Sequence, residues 1–116
     1  MPEFQGFFRI QIRQEALKFS AAHMTFFPEW SKERLHGHTD RTVAKIEFER
    51  FSLSEMLPFG KLKEEIRKIC SEWDERILLP AECPHLRILS DEGESVEISA
   101  SGKRYVFPKD EVVFLP

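Results

Sequence analysis

Asparagine is missing from the 116 residues, and tyrosine occurs once. Two cysteines, Cys70 and Cys83, are too few for a disulfide framework and form no CxxC pair, so a reduced, cytoplasmic setting is expected. A basic excess is also missing. The 17 Lys and Arg face 20 Asp and Glu, for a net charge of −3, which argues against a nucleic-acid or anionic-membrane surface. No run approaches the roughly 18 apolar residues of a membrane span. The opening MPEFQGFFRI lacks the basic n-region and apolar stretch of a secretory signal.

What is present points to one folded domain over residues 1–116. Apolar residues make up 41%, enough to bury a core and to exclude wholesale disorder. Eleven Phe suggest that this core is built on phenylalanine. Charged residues reach 32% without any asparagine, a bias of heat-adapted proteins.

Phe8, Ile10 and Ile12 alternate with polar residues, as in a strand with one buried face. The phase then slips: Leu17, Phe19, Ala21 and His23 fall on odd numbers. A one-residue slip is the signature of a β-bulge, a device that often re-aims a side chain beside a site. A loop with Phe26, Phe27, Pro28 and Trp30 leads to a second strand over residues 36–51. There His36, His38, Asp40, Thr42, Ala44, Ile46 and Phe48 share one face. Leu62, Ile66, Ile69, Cys70 and Trp73 then mark a helical stripe over residues 59–73. Ile77-Leu78-Leu79 reads as an apolar exit closed by Pro80. Short strands follow over 85–89, 95–99 and 104–107, with turns at Asp91-Glu92-Gly93 and Ser101-Gly102. The run Val112-Val113-Phe114-Leu115 reads as the lead into a further helix.

Three of the four histidines lie within residues 23–38. His36 and His38 are two apart on one strand and point the same way, so they can chelate one ion. His23 ends the preceding strand in phase with its apolar face. If the two strands pair antiparallel, the three imidazoles converge. Three neutral imidazoles with an open fourth position form a catalytic rather than a structural zinc pattern. Spacing alone leaves ordinary surface or core histidines equally open. His85 follows Pro84 in a loop and is expected to be exposed.

Phe19-Ser20-Ala21-Ala22-His23, Leu35-His36-Gly37-His38 and Trp73-Asp74-Glu75-Arg76-Ile77-Leu78 together resemble the 6-pyruvoyl-tetrahydropterin synthase family, which includes the 6-carboxy-tetrahydropterin synthases. The resemblance runs over residues 7–80. It implies an α+β T-fold, an antiparallel sheet with a helix packed on one face, and a homo-oligomer, trimer or hexamer. It implies Zn2+ held by His23, His36 and His38. It also implies a small-molecule substrate, a dihydropterin such as dihydroneopterin triphosphate or dihydroneopterin.

The departures from the family pattern bear on chemistry. Where the family carries a catalytic Cys, four residues before the first His of His-Gly-His, this chain has Lys32, and Glu33 follows. Relatives with a glutamate in or beside that position are associated with aldolase-like cleavage. Glu33 is therefore the expected base, provided burial lifts its pKa. The family's Asp-His pair at the helix end is met by Asp74 and Glu75. Glu33, Asp74 and Glu75 are thus the candidate catalytic residues. The family's late pterin-anchoring glutamate is not placed; Glu97 and Ser99 lie nearest to its strand. The C-terminal part of the fold is expected to be short or divergent, with residues 85–115 as an insertion. The implied function is a zinc-dependent lyase, by triphosphate elimination or aldolase-like cleavage. The alternative is a non-catalytic zinc- and pterin-binding module.

Overall fold

The structure, a computed structural model, describes residues 3–29, 31–52 and 59–116; Trp30 lies outside them. In chain order these residues form β1 (Glu3–His23), β2 (His36–Ser52), α1 (Phe59–Trp73), β3 (Arg76–Pro80), β4 (Leu86–Ser90), β5 (Ser95–Ala100), β6 (Lys103–Pro108), a 3-10 turn (Lys109–Glu111) and β7 (Val112–Leu115). None of the described helices is long and apolar enough to cross a membrane.

The phase slip in β1 is real. Burial follows Ile10 and Ile12, then switches to Leu17, Phe19 and Ala21. Cross-strand partners record the same switch. Phe8 stacks on Phe48, Arg9 pairs with Glu47 and Glu15 with Arg41, even with even and odd with odd. At the other end Ser20 bonds Thr39, and His23 meets His36 and His38, so the parity changes. Same-face partners in an antiparallel pair keep one parity, so one strand carries an extra residue between these points. The burial pattern places it near Glu15 and Ala16. Without it His23 would sit on the opposite face from His36 and His38.

By internal contacts the chain forms two units. The first comprises Met1–Lys18 and Arg41–Glu72. In it α1 buries Cys70, whose Sγ lies 3.4 Å from Thr42 Oγ1. The helical stripe holds with one exception: Ile69 is 46% exposed.

The second unit, Phe19–Asp40 with Trp73–Pro116, contains every candidate site residue. Ile77-Leu78-Leu79 is not a helix exit but the centre of β3. This strand pairs parallel with β1 on one side and with β7 on the other, giving the order β2-β1-β3-β7. A strand enclosed in this way reads as an unbroken apolar run without alternation. The last apolar run is likewise a strand and not the start of a helix, with Ile77 opposite Val112 and Leu79 opposite Phe114.

β4, β5 and β6 form a separate antiparallel sheet. Ser101 and Gly102, at φ +47° and +82°, make the tight turn between β5 and β6. The unit's core is aliphatic: Met24, Leu79, Leu86, Val96, Ile98 and Ala100 are buried. Phe26, Phe107 and Phe114 pack around it partly exposed, and Phe7 in the first unit is 70% exposed. Among the described residues phenylalanine surrounds the core and does not build it.

Candidate metal centre

The chain between β1 and β2 turns back on itself as a small hairpin. Phe26 bridges Lys32, Phe27 N–H donates to Ser31 O (2.9 Å), and Glu33 N–H donates to Thr25 O (3.0 Å). This return brings the last residue of β1, His23, beside the first and third residues of β2. The ring centroids of His23 lie 4.7 Å from His36 and 4.8 Å from His38. The possible ligand atoms all fall within 4.8 Å of one another.

Gly37 permits this approach. A Cβ built there would sit 3.1 Å from the Ala21 carbonyl oxygen, a backbone atom that cannot swing aside. Gly37→Ala is therefore expected to cost about 1–3 kcal/mol, as overpacking does, and to splay His36 and His38. A thermal melt together with zinc titration checks both effects.

The three rings have different partners. His36 Nδ1 is 2.9 Å from Arg34 O. A carbonyl only accepts, so Nδ1 carries a proton and Nε2 is the ring nitrogen left for the cluster. His38 Nδ1 is 3.1 Å from Asp40 Oδ1. Its Nε2 lies 2.8 Å from His23 Nε2. Metal-bound histidines characteristically donate the second ring N–H to a carbonyl or carboxylate. The donor set therefore fits a divalent cation such as Zn2+, with three nitrogen ligands and room for one more. Neither cysteine belongs to it.

Glu33 stands beside this cluster. Its Oε1 accepts the Thr25 N–H at 2.7 Å and lies 3.9 Å from His36 Nε2. Hydrogen bonding from Thr25 holds its carboxyl below the ordinary carboxylate range. Partial burial works against this, and electrostatic interaction with the nearby His36 and His23 adds a smaller lowering. The expectation that burial would raise this pKa is corrected: the hydrogen bonds win over desolvation.

Asp74 and Glu75 are engaged elsewhere. Asp74 Oδ1 accepts the Ser20 N–H at 2.9 Å, and Glu75 N–H donates to Ser20 O at 2.6 Å. Glu75 adopts φ +55° to do so. Both thus close the end of α1 onto β1, where Trp73 also meets Phe19 edge-on at 5.4 Å. Ser20 is three residues from His23 and so lies on the opposite pleat. A cavity of about 490 Å3 is lined by Ser20 and Thr39, by Glu75 and Glu111, and by Ala21 and His38. On the histidine face a second cavity, of about 340 Å3, is walled by Met24, Leu78 and Leu79 and carries His23 and Asp40 as polar groups. Asp40 has no assigned role in the sequence reading, although its two-residue spacing from His38 was the available signal. His85 is half-buried and stacks on Phe26 at 6.4 Å.

A family model described as 6-pyruvoyl tetrahydropterin synthase matches residues 11–101. The chain belongs to this family. It is 29% identical over 103 residues to a Methanocaldococcus jannaschii protein provisionally named a 6-carboxy-5,6,7,8-tetrahydropterin synthase. That match takes in 86% of this chain and 61% of the relative, so the chain spans about three fifths of that protein's length. Among solved structures, the 6-pyruvoyl tetrahydropterin synthase of Plasmodium vivax superposes with a TM-score of 0.81 at 25% identity, over 96% of this chain and 68% of the other. The Plasmodium falciparum enzyme gives 0.80 at 22%, over 95% and 67%. The fold is the T-fold of these enzymes. Because the likeness takes in nearly the whole chain, residues 85–115 are part of that fold and not an insertion into it.

Proposed function

We propose that the chain is a zinc-dependent lyase acting on the side chain of a dihydropterin, either dihydroneopterin triphosphate or dihydroneopterin. The observation that carries this reading is the convergence of three imidazoles, with Glu33 at 3.9 Å from His36, in a chain of this family. His23, His36 and His38 would hold the ion. When bound, zinc supplies a Lewis acid that polarises an oxygen donor of the substrate.

The remaining work falls to the chain's own groups. The Glu33 carboxylate, charged at neutral pH, takes up the proton lost from the substrate side chain. Thr25 N–H fixes Oε1 and thereby its direction. The cavity beside His23 is of a size usual for small-molecule sites, and its apolar walls suit a flat ring. Asp74 supports catalysis by holding Ser20, and Glu75 as a residue lining the same cavity as His38. A glutamate can serve in this fold: the Plasmodium vivax enzyme has been solved with a catalytic glutamate replaced by cysteine or by alanine.

The whole chain acts as one pterin-binding domain in a homo-oligomer, trimer or hexamer. In support, β2 and β7 each have a neighbour on one side only within the sheet. A cytoplasmic setting agrees with two unpaired thiols.

A second reading, a non-catalytic zinc- and pterin-binding module, is favoured by two observations. The lowered pKa makes Glu33 a weak base. Lys32, at the family's Cys position, is also occupied, with Nζ over the Tyr105 ring at 5.0 Å and bonded to Glu33 O at 3.1 Å. Zinc-loaded protein incubated side by side with dihydroneopterin triphosphate and dihydroneopterin decides between the two. The lyase reading expects product from at least one substrate. Pterin binding without any product leaves the module.

A further inference from the structure

We infer that Asp40 is a positioning residue of the metal centre: its carboxylate holds His38 as the Nδ1–H tautomer and so aims Nε2 at the ion. The inference rests on the zinc reading above.

The two histidines of the pair are fixed by different means. His36 is held by the Arg34 carbonyl, a backbone group that no substitution removes. His38 meets a side chain instead: Asp40 Oδ1 lies at ion-pair distance, 3.1 Å from Nδ1. His38 and Asp40 are two apart on β2 and share a face, so the strand itself sets their distance. The opposite ring nitrogen, Nε2, lies 2.8 Å from His23 Nε2, inside the convergent cluster. The carboxylate is on the far side of the imidazole from that cluster, so it acts through the ring and not as a ligand. An oxygen at this distance disfavours a bare lone pair on Nδ1 and so favours the proton there, the arrangement usual for the outer partners of ligating histidines. Asp40 also lines the cavity that holds His23.

The test compares the parent with Asp40→Ala and Asp40→Asn. Zinc affinity is measured by chelator competition, the His38 tautomer by nitrogen NMR on metal-free protein, and folding by circular dichroism. Loss of such a partner typically weakens metal binding about 10–100-fold, and Asp40→Ala is expected in that range. Asp40→Asn keeps a neutral acceptor and should recover part of the loss. The metal-free parent should carry the His38 proton on Nδ1, and Asp40→Ala should lose that preference. Parent-like zinc affinity in Asp40→Ala overturns the inference, as does a parent with its His38 proton on Nε2. Should the alanine variant fail to fold, the nearly isosteric Asp40→Asn decides, and parent-like affinity there overturns the inference too. A parent that binds no zinc sinks the metal reading itself, a result distinct from zinc binding that ignores Asp40.

Discussion

His38→Ala is expected to take the protein from close to one zinc per chain to a small fraction of that, read by elemental analysis after dialysis. The parent's ion should show tetrahedral geometry with nitrogen donors at about 2.0–2.1 Å. The expected loss exceeds that of any change to a residue that only supports a ligand. Removing a ligand takes away a bond to the ion and one arm of the His36-x-His38 chelate. Removing a partner such as Asp40 only weakens a ligand that remains, by about 10–100-fold. Two imidazoles cannot replace three when the third closes the set with His23 at 2.8 Å. The fold should survive. The His38 side chain is 46% exposed and the core of its unit is Leu79, Val96, Ile98 and their neighbours, so the melting temperature should move little. Full zinc retention in this variant would mean that the ion, if present, sits elsewhere.

The histidine cluster was legible in the sequence because strand periodicity is a local property. Odd-numbered apolar positions in β1 after the slip and even-numbered ones in β2 put each histidine in phase with its own strand's apolar face. Antiparallel pairing of the two strands was the added condition that brought them together. The features that escaped depend on what surrounds a segment. β3 is apolar on both sides since β1 and β7 flank it, and an unbroken run of three residues carries no period to read. The closing strand β7 was hidden for the same reason. The aliphatic core was hidden by composition. Val96, Ile98 and Ala100 alternate along β5 and lie against Leu79 and Met24, while the more numerous phenylalanines pack at the margin. Asp74 and Glu75 were singled out by position, but the bond of Asp74 to Ser20 joins residues 54 apart in sequence. The lowered pKa of Glu33 comes from Thr25, partly through a backbone N–H, a donor every non-proline residue owns and no sequence pattern reveals.

Glu33→Gln is expected to abolish most turnover on whichever dihydropterin the parent converts, while zinc content and pterin binding persist. The substitution separates the two jobs of the side chain. A glutamine carbonyl still accepts the Thr25 N–H, so the hairpin that delivers His36 keeps its shape. What disappears is a group able to take a proton. A positioned base contributes on the order of 10²–10⁴ in rate, and kcat should fall within that range. The depressed pKa sets the sign of any pH effect. A carboxyl whose folded pKa is lowered keeps its charged, hydrogen-bonded form above the ordinary carboxylate range and loses it only as pH falls through the lowered value. Glu33 itself should therefore add no acid limb to the parent's kcat/KM profile at or above ordinary carboxylate values, in contrast to a buried base with a raised pKa. Unchanged turnover in Glu33→Gln would exclude Glu33 as the base and turn attention to Glu75, which lines the same cavity as His38. Loss of zinc together with turnover would show instead that Glu33 serves the histidines, which its 3.9 Å distance from His36 Nε2 also permits.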